Sequence, residues 1–128
     1  GSLCPDEQAD GSVSGVETTD VEKFKARTVD AIRVLAFFKA APGRAGDLEK
    51  VLLGLVGPTR GEPGNISYVL HRMDGNPGVF MFDEIWVSKS ALDEHLKTPH
   101  IESLPARIKD LAQGPPRVEI YSEVTAGK

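Results

Sequence analysis

The runs Ile66-Ser67-Tyr68-Val69-Leu70-His71-Arg72 and Val79-Phe80-Met81-Phe82-Asp83-Glu84-Ile85-Trp86-Val87 flank the segment Asp74-Gly75-Asn76-Pro77-Gly78. Both runs are rich in β-branched and aromatic residues, the types that fit a pleated, half-buried surface. The segment between them consists of residues that tolerate or preset turn backbone angles. Two strands joined in this way form an antiparallel hairpin, and the remaining elements are placed around it.

Upstream, Ala31 to Lys39 is nearly continuous in apolar residues and ends at Pro42-Gly43, which reads as a strand. Leu48, Val51, Leu52, Leu55 and Val56 then recur at the spacing of one helix face. Gly57-Pro58 is expected to interrupt that helix, and Glu62-Pro63-Gly64 to make a turn. Downstream, Ser88 can cap a short helix through about Leu96. Thr98-Pro99 starts another, with Pro at a position that needs no amide donor. Ile101, Leu104, Ile108 and Leu111 form its apolar stripe, Gly114-Pro115-Pro116 stops it, and Val118 to Val124 reads as a last strand. The order is β-α-β-β-α-β. That order predicts an α+β, ferredoxin-like fold: an antiparallel four-stranded sheet with both helices on one face. The first and third strands alternate poorly between apolar and polar, so both sheet faces want cover. Pairing of two sheets in a homodimer is the economical solution.

Composition narrows the function. Leu, Ile, Val and Phe make up 34 of 128 residues, well above the level of disordered chains. The longest apolar run, Val34 to Phe38, is far short of the roughly 18–20 residues of a membrane span. The net charge is −4 and there is no Lys/Arg run, which disfavours nucleic-acid binding. Residues 1–30 hold seven acids and three bases, whereas residues 31–128 hold twelve of each. The first thirty residues therefore read as a flexible acidic tail, and 31–128 as one domain. The single cysteine, Cys4, excludes an internal disulfide framework and fits a cytoplasmic setting. Gly1-Ser2 has the look of a cloning remnant, which leaves room for a removed leader. G-x-G-x-x-G, P-loop and G-x-S-x-G motifs are absent, so nucleotide and serine-hydrolase readings lack support.

The stretches Val34 to Arg44, Pro58 to Asn65, Tyr68 to Arg72, Phe82-Asp83-Glu84-Ile85-Trp86-Val87-Ser88, Ala91 to Leu96 and Thr98-Pro99-His100 together resemble the antibiotic biosynthesis monooxygenase family. The E-x-W-x-S-x-x-A-L-x-x-H run carries most of that resemblance. It implies a dimeric α+β barrel with a small pocket in each subunit between sheet and helices. It also implies relatives that oxidise quinols, anthrones or polyphenols with O₂ and no cofactor. The haem-degrading branch places an Asn on the first strand, and Asp30 to Lys39 has none.

Alternation along the third strand puts Phe80, Phe82, Glu84 and Trp86 on one side. An acid and an indole among phenyl rings suit a flat aromatic substrate, and burial raises the Glu84 pKa as a general base requires. The competing reading is a core strand whose Trp fills volume and whose Glu pairs with an Arg. His95 lies at the apolar edge of its helix, placed to take a phenol proton. The competing reading there is a helix-capping or dimer-contact histidine. His100 begins the next helix and should be neutral. Tyr68 and His71, three apart on a strand, face opposite ways, and Tyr68 is assigned to the substrate side. The five-residue spacing of His95 and His100, with Pro99 between, argues against a shared metal on one helix face. Cys4 is far from any base in sequence, so a catalytic thiol is not expected.

The resemblance, read with these residues, implies an oxidoreductase: a cofactor-independent monooxygenase with His95, Trp86 and Glu84 catalytic and with Tyr68, Phe82, Phe80 and His100 around the substrate. O₂ is the co-substrate, and neither metal nor flavin is required. The rivals are a non-catalytic, ligand-binding or stress-response barrel, and an isomerase of the same superfamily. An isomerase of a phosphorylated substrate would need a pocket cation, for which Arg60 and Arg72 are candidates.

Overall fold

A computed structural model of the chain describes residues 30–125. The acidic segment read as a tail, with Cys4, lies outside them apart from Asp30. The elements are β1 (Ile32–Lys39), α1 (Ala45–Leu53), α2 (Val56–Arg60), β2 (Asn65–Met73), β3 (Asn76–Trp86), α3 (Lys89–His95), α4 (Pro99–Glu102), α5 (Leu104–Ile108) and β4 (Arg117–Ser122). The strands form one antiparallel sheet in the order β2-β3-β1-β4. The ferredoxin-like arrangement is thus present; the expected first and last helices are each divided in two, and the short helix after Ser88 stays whole as α3. No helix among the described residues is long and apolar enough to cross a membrane.

The divisions have local causes. The first helix breaks at Gly54-Leu55, not at Gly57-Pro58: Gly54 closes α1 through its N–H to Lys50 and Val51 carbonyls. Pro58 falls in the first turn of α2, where amide donors have no intrahelical partner, so it is tolerated there. The later helix breaks at Ser103 because Pro105, in the first turn of α5, has no N–H to continue the α4 ladder. The hairpin turn is also tighter than the five-residue segment suggests. Only Asp74-Gly75 lies between β2 and β3, and Gly75 takes a φ of +79°, the left-handed region that favours glycine.

The helices cover one sheet face. Val34, Ala36 and Phe38 of β1 and Phe80, Phe82 and Trp86 of β3 are buried there against Leu48, Leu52, Leu55, Leu92, Leu104 and Ile108. Phe82 stacks on Tyr68 at 4.4 Å between centroids and meets the edge of Phe38 at 6.0 Å. Such aromatic pairs add about 0.5–1.5 kcal/mol beyond the area they bury. On the opposite face Leu35, Phe37, Met81 and Ile85 are only half-buried within one chain.

Candidate active site

A cavity of about 170 Å³ lies between the sheet and the helices α3 to α5. Its walls include Val34, Ala36, Phe38 and Phe82 from the sheet and Leu92, Ile101 and Leu104 from the helices. Three lining residues bring polar groups into this apolar space: Tyr68, Glu84 and His95. Other concavities, on the outer sheet face and beneath Pro115-Pro116, have no buried ionisable group among their walls.

Glu84 and Trp86 come from β3, whose alternation sends both toward the helices. Trp86 is fully buried and does not line the cavity; it donates Nε1–H to Glu84 Oε1 at 2.9 Å. Burial pushes the Glu84 carboxyl up to about 7, partly offset by the indole hydrogen bond and reinforced by the charge of Glu62. Glu84 is therefore a carboxyl poised to hold or release a proton near neutrality. Tyr68 sits across from it in the β2–β3 register. Burial first, and the Glu84 charge second, push its phenol well above the ordinary range, so it stays a neutral hydroxyl.

His95 ends α3, a helix started by Ser88, whose Oγ accepts from Ala91 N–H at 3.1 Å. Its carbonyl accepts from Thr98 Oγ1 at 2.7 Å. The ring is buried against Trp86, 4.5 Å between centroids. Nδ1 lies 2.9 Å from Glu62 Oε2, on the loop between α2 and β2. A carboxylate can only accept, so Nδ1 carries the proton, and Nε2 keeps its lone pair. Among the described residues Nε2 has no partner, which leaves it for a ligand in the cavity. Burial pushes the His95 pKa down, with the Glu62 hydrogen bond pulling the other way. The result is a neutral imidazole backed by a carboxylate, the arrangement of a positioned general base.

The sequence-predicted residues separate accordingly. Tyr68, Phe82, Glu84 and His95 meet in the cavity. Phe80 is buried in the core two residues along β3 and does not line it. His100 turns away from the cavity lining and places Nε2 2.8 Å from the same Glu62 Oε2. His71 is exposed on the face opposite Tyr68, as its spacing requires. Arg60 donates to the Tyr68 carbonyl at 2.9 and 3.1 Å, and Arg72 pairs with Glu49 at 2.6 Å, so neither guanidinium enters the cavity. The spacing argument against a shared metal does not apply, since His95 and His100 belong to different helices. Their ring nitrogens and a Glu62 oxygen lie within 4.8 Å of one another.

Glu62 is the residue sequence reasoning missed. Its only signal was its place in Glu62-Pro63-Gly64, where it read as turn material. Gly64 explains why that turn can approach α3. A Cβ there would lie 2.4 Å from the Ala91 Cβ, so only glycine lets this loop press against the helix that carries His95.

The antibiotic biosynthesis monooxygenase family model matches residues 31–104. The uncharacterized protein sll1783 of Synechocystis is 30% identical over 92 residues, 72% of this chain. This chain spans 63% of the length of that relative. Rv0793 of Mycobacterium tuberculosis, a proposed monooxygenase, is 32% identical over 91 residues, covering 71% of this chain and 89% of its own. The solved structure of Rv0793 superposes with a TM-score of 0.71 over 77% of this chain and all of its own, at 28% identity. That of PA3566 from Pseudomonas aeruginosa gives 0.70 over 76% of this chain and 98% of its own, at 30% identity. With more than half of its length matched by the family model, the chain belongs to the antibiotic biosynthesis monooxygenase family.

Proposed function

We propose that the protein is a cofactor-independent monooxygenase that oxidises a small quinol or polyphenol with O₂. The observation that carries this reading is the neutral His95, held by Glu62 at Nδ1, in the wall of an otherwise apolar cavity. An apolar cavity of about 150 Å³ is known to take up benzene. The 170 Å³ here therefore suits a single aromatic ring. The edge of Phe82 and the Tyr68 ring offer it contact surface, and Tyr68 and Glu84 offer hydrogen bonds to its hydroxyls.

His95 Nε2 takes the proton of a quinol hydroxyl, and Glu62 stabilises the imidazolium through Nδ1–H. The phenolate gives one electron to O₂, and the semiquinone and superoxide recombine as a peroxide on a ring carbon. Loss of water then completes the reaction. The His95 imidazolium returns its proton to the peroxide, the ring C–H proton leaves to a base, the O–O bond breaks, and Glu84 in its protonated form supplies the second proton to the departing oxygen. Hydroquinone and O₂ become a hydroxyquinone and water, so one oxygen atom stays in the product.

A phosphorylated isomerase substrate is disfavoured, because the cavity lining contains no Arg or Lys. We also place the protein in a homodimer that pairs the outer sheet faces, where Leu35, Phe37, Met81 and Ile85 are half-buried. An oxygen electrode with a panel of hydroquinones tests the reaction. Turnover that stops without O₂ and falls in His95→Ala is expected. A binder without catalysis would retain the quinol and consume no O₂.

A further inference from the structure

The oxygen Glu62 Oε2 meets two imidazoles delivered by two different helices, at 2.9 Å from His95 Nδ1 and 2.8 Å from His100 Nε2. A general base needs only the first of these contacts. The second remains unexplained by the proposed reaction, and it completes a set of two imidazole nitrogens and one carboxylate oxygen. We propose that Glu62, His95 and His100 form a binding site for a first-row divalent cation of the zinc class.

The chemistry of the donors selects the cation. Two imidazoles and a carboxylate suit Zn²⁺ and its borderline neighbours and suit Ca²⁺ or Mg²⁺ poorly. The spacing is also right. Tetrahedral ligand atoms about 2.1 Å from an ion are about 3.4 Å apart, so the two Glu62 contacts need to open by only about 0.5 Å to admit one. The two contacts are 2.9 and 2.8 Å, and all three ligand atoms lie within 4.8 Å of one another. The site is graded from inside to outside: side-chain exposure is 4% for His95, 13% for Glu62 and 19% for His100. An ion can therefore enter past His100 and keep water in its open positions. The scaffold is fixed by neighbours that do not bind the ion: Thr98 Oγ1 ties to the His95 carbonyl at 2.7 Å, and Gly64 packs its loop on α3.

Binding the ion changes His95. A metal takes the Nδ1 position now held by a proton, and the neutral ring then carries its proton on Nε2. The nitrogen facing the cavity turns from acceptor to donor and no longer serves as a base. Metal occupancy should inhibit the oxygenase. This consequence rests on the proposed role of His95; the binding itself does not.

Trp86 is the single tryptophan of the chain and its ring centre is 4.5 Å from that of His95. It therefore reports on this site. The full-length protein, freed of metal with EDTA, is titrated with Co²⁺ while Trp86 emission is read, and Zn²⁺ is then added as competitor. Saturable one-to-one quenching is expected, reversed by Zn²⁺ and weakened tenfold or more in His100→Ala. Thermal unfolding in EDTA checks that the variant is folded, and His100→Asn replaces it if it is not. Absence of saturable quenching, or equal affinity in the folded His100 variant, would overturn the site. In parallel, Zn²⁺ should suppress quinol-dependent O₂ uptake in the wild type but not the remaining uptake of the His100 variant. Binding without suppression would uphold the metal site and refute the base role of His95.

Discussion

His95 owes its chemistry to two unequal neighbours, a carboxylate on one nitrogen and an apolar cavity beside the other. Replacing it with alanine should lower quinol-dependent O₂ uptake by about 10²–10⁴-fold, the usual worth of a positioned base. Steady-state rates, read beside a thermal melt, check this. Glu84 makes a separate prediction. Its carboxyl sits at about 7 in the folded chain, against 4.5 without burial. Between those pH values the folded chain holds a proton that the unfolded chain has lost. Stability from this group therefore falls as pH rises through the window, and the loss is complete above about 7, roughly 3 kcal/mol in all. His95 acts oppositely: its lowered pKa makes stability rise as pH approaches 6.5. Glu84→Gln isolates the first effect and keeps an acceptor for the Trp86 N–H. Urea unfolding should show the variant gaining over the wild type at pH 8 and gaining much less at pH 5. An equal difference at both would contradict a buried, titrating Glu84.

At the scale of the elements, the approach of the Glu62 loop to α3 sets the geometry of the site. Gly64→Ala puts a methyl group against Ala91 and should cost about 1–3 kcal/mol, as overpacking does. The melting temperature should fall by about 5 °C or more. Activity should fall further than the melt explains, because Glu62 and His95 are pushed apart. The element order was legible because the Leu48 to Val56 spacing and the Ile66 to Val87 hairpin are local patterns. The side of β3 that faces the site was legible too, since alternation fixes Phe82, Glu84 and Trp86 together. Depth along that face was not: Phe80 shares it yet falls outside the cavity, because helix placement decides where the void lies. Glu62 and His100 were illegible for a related reason. Their convergence depends on a loop held by one glycine contact and on Pro99 separating α3 from α4, neither of which has a periodic signature. The positions of helix breaks were missed where a proline sits in a first turn, as at Pro58, and costs nothing there.

For the whole molecule, the half-buried Leu35, Phe37, Met81 and Ile85 on the outer sheet face carry the dimer proposal. Sedimentation of the wild type should give a dimer. Ile85→Asp, which puts a charge on that face, should give a monomer with the sheet intact by circular dichroism. Residues 31–128 carry no net charge, and every described strand and helix lies within them. A chain beginning at residue 30 should therefore fold and keep its activity. By the proposed reaction this fold directs O₂ onto an aromatic ring using side chains alone. Metal-free protein and a hydroquinone substrate under ¹⁸O₂, followed by mass spectrometry of the product, test it most directly. One ¹⁸O atom per product molecule, formed by the wild type and largely lost in His95→Ala, is the predicted result. Unlabelled quinol recovered unchanged after demonstrated binding would contradict it.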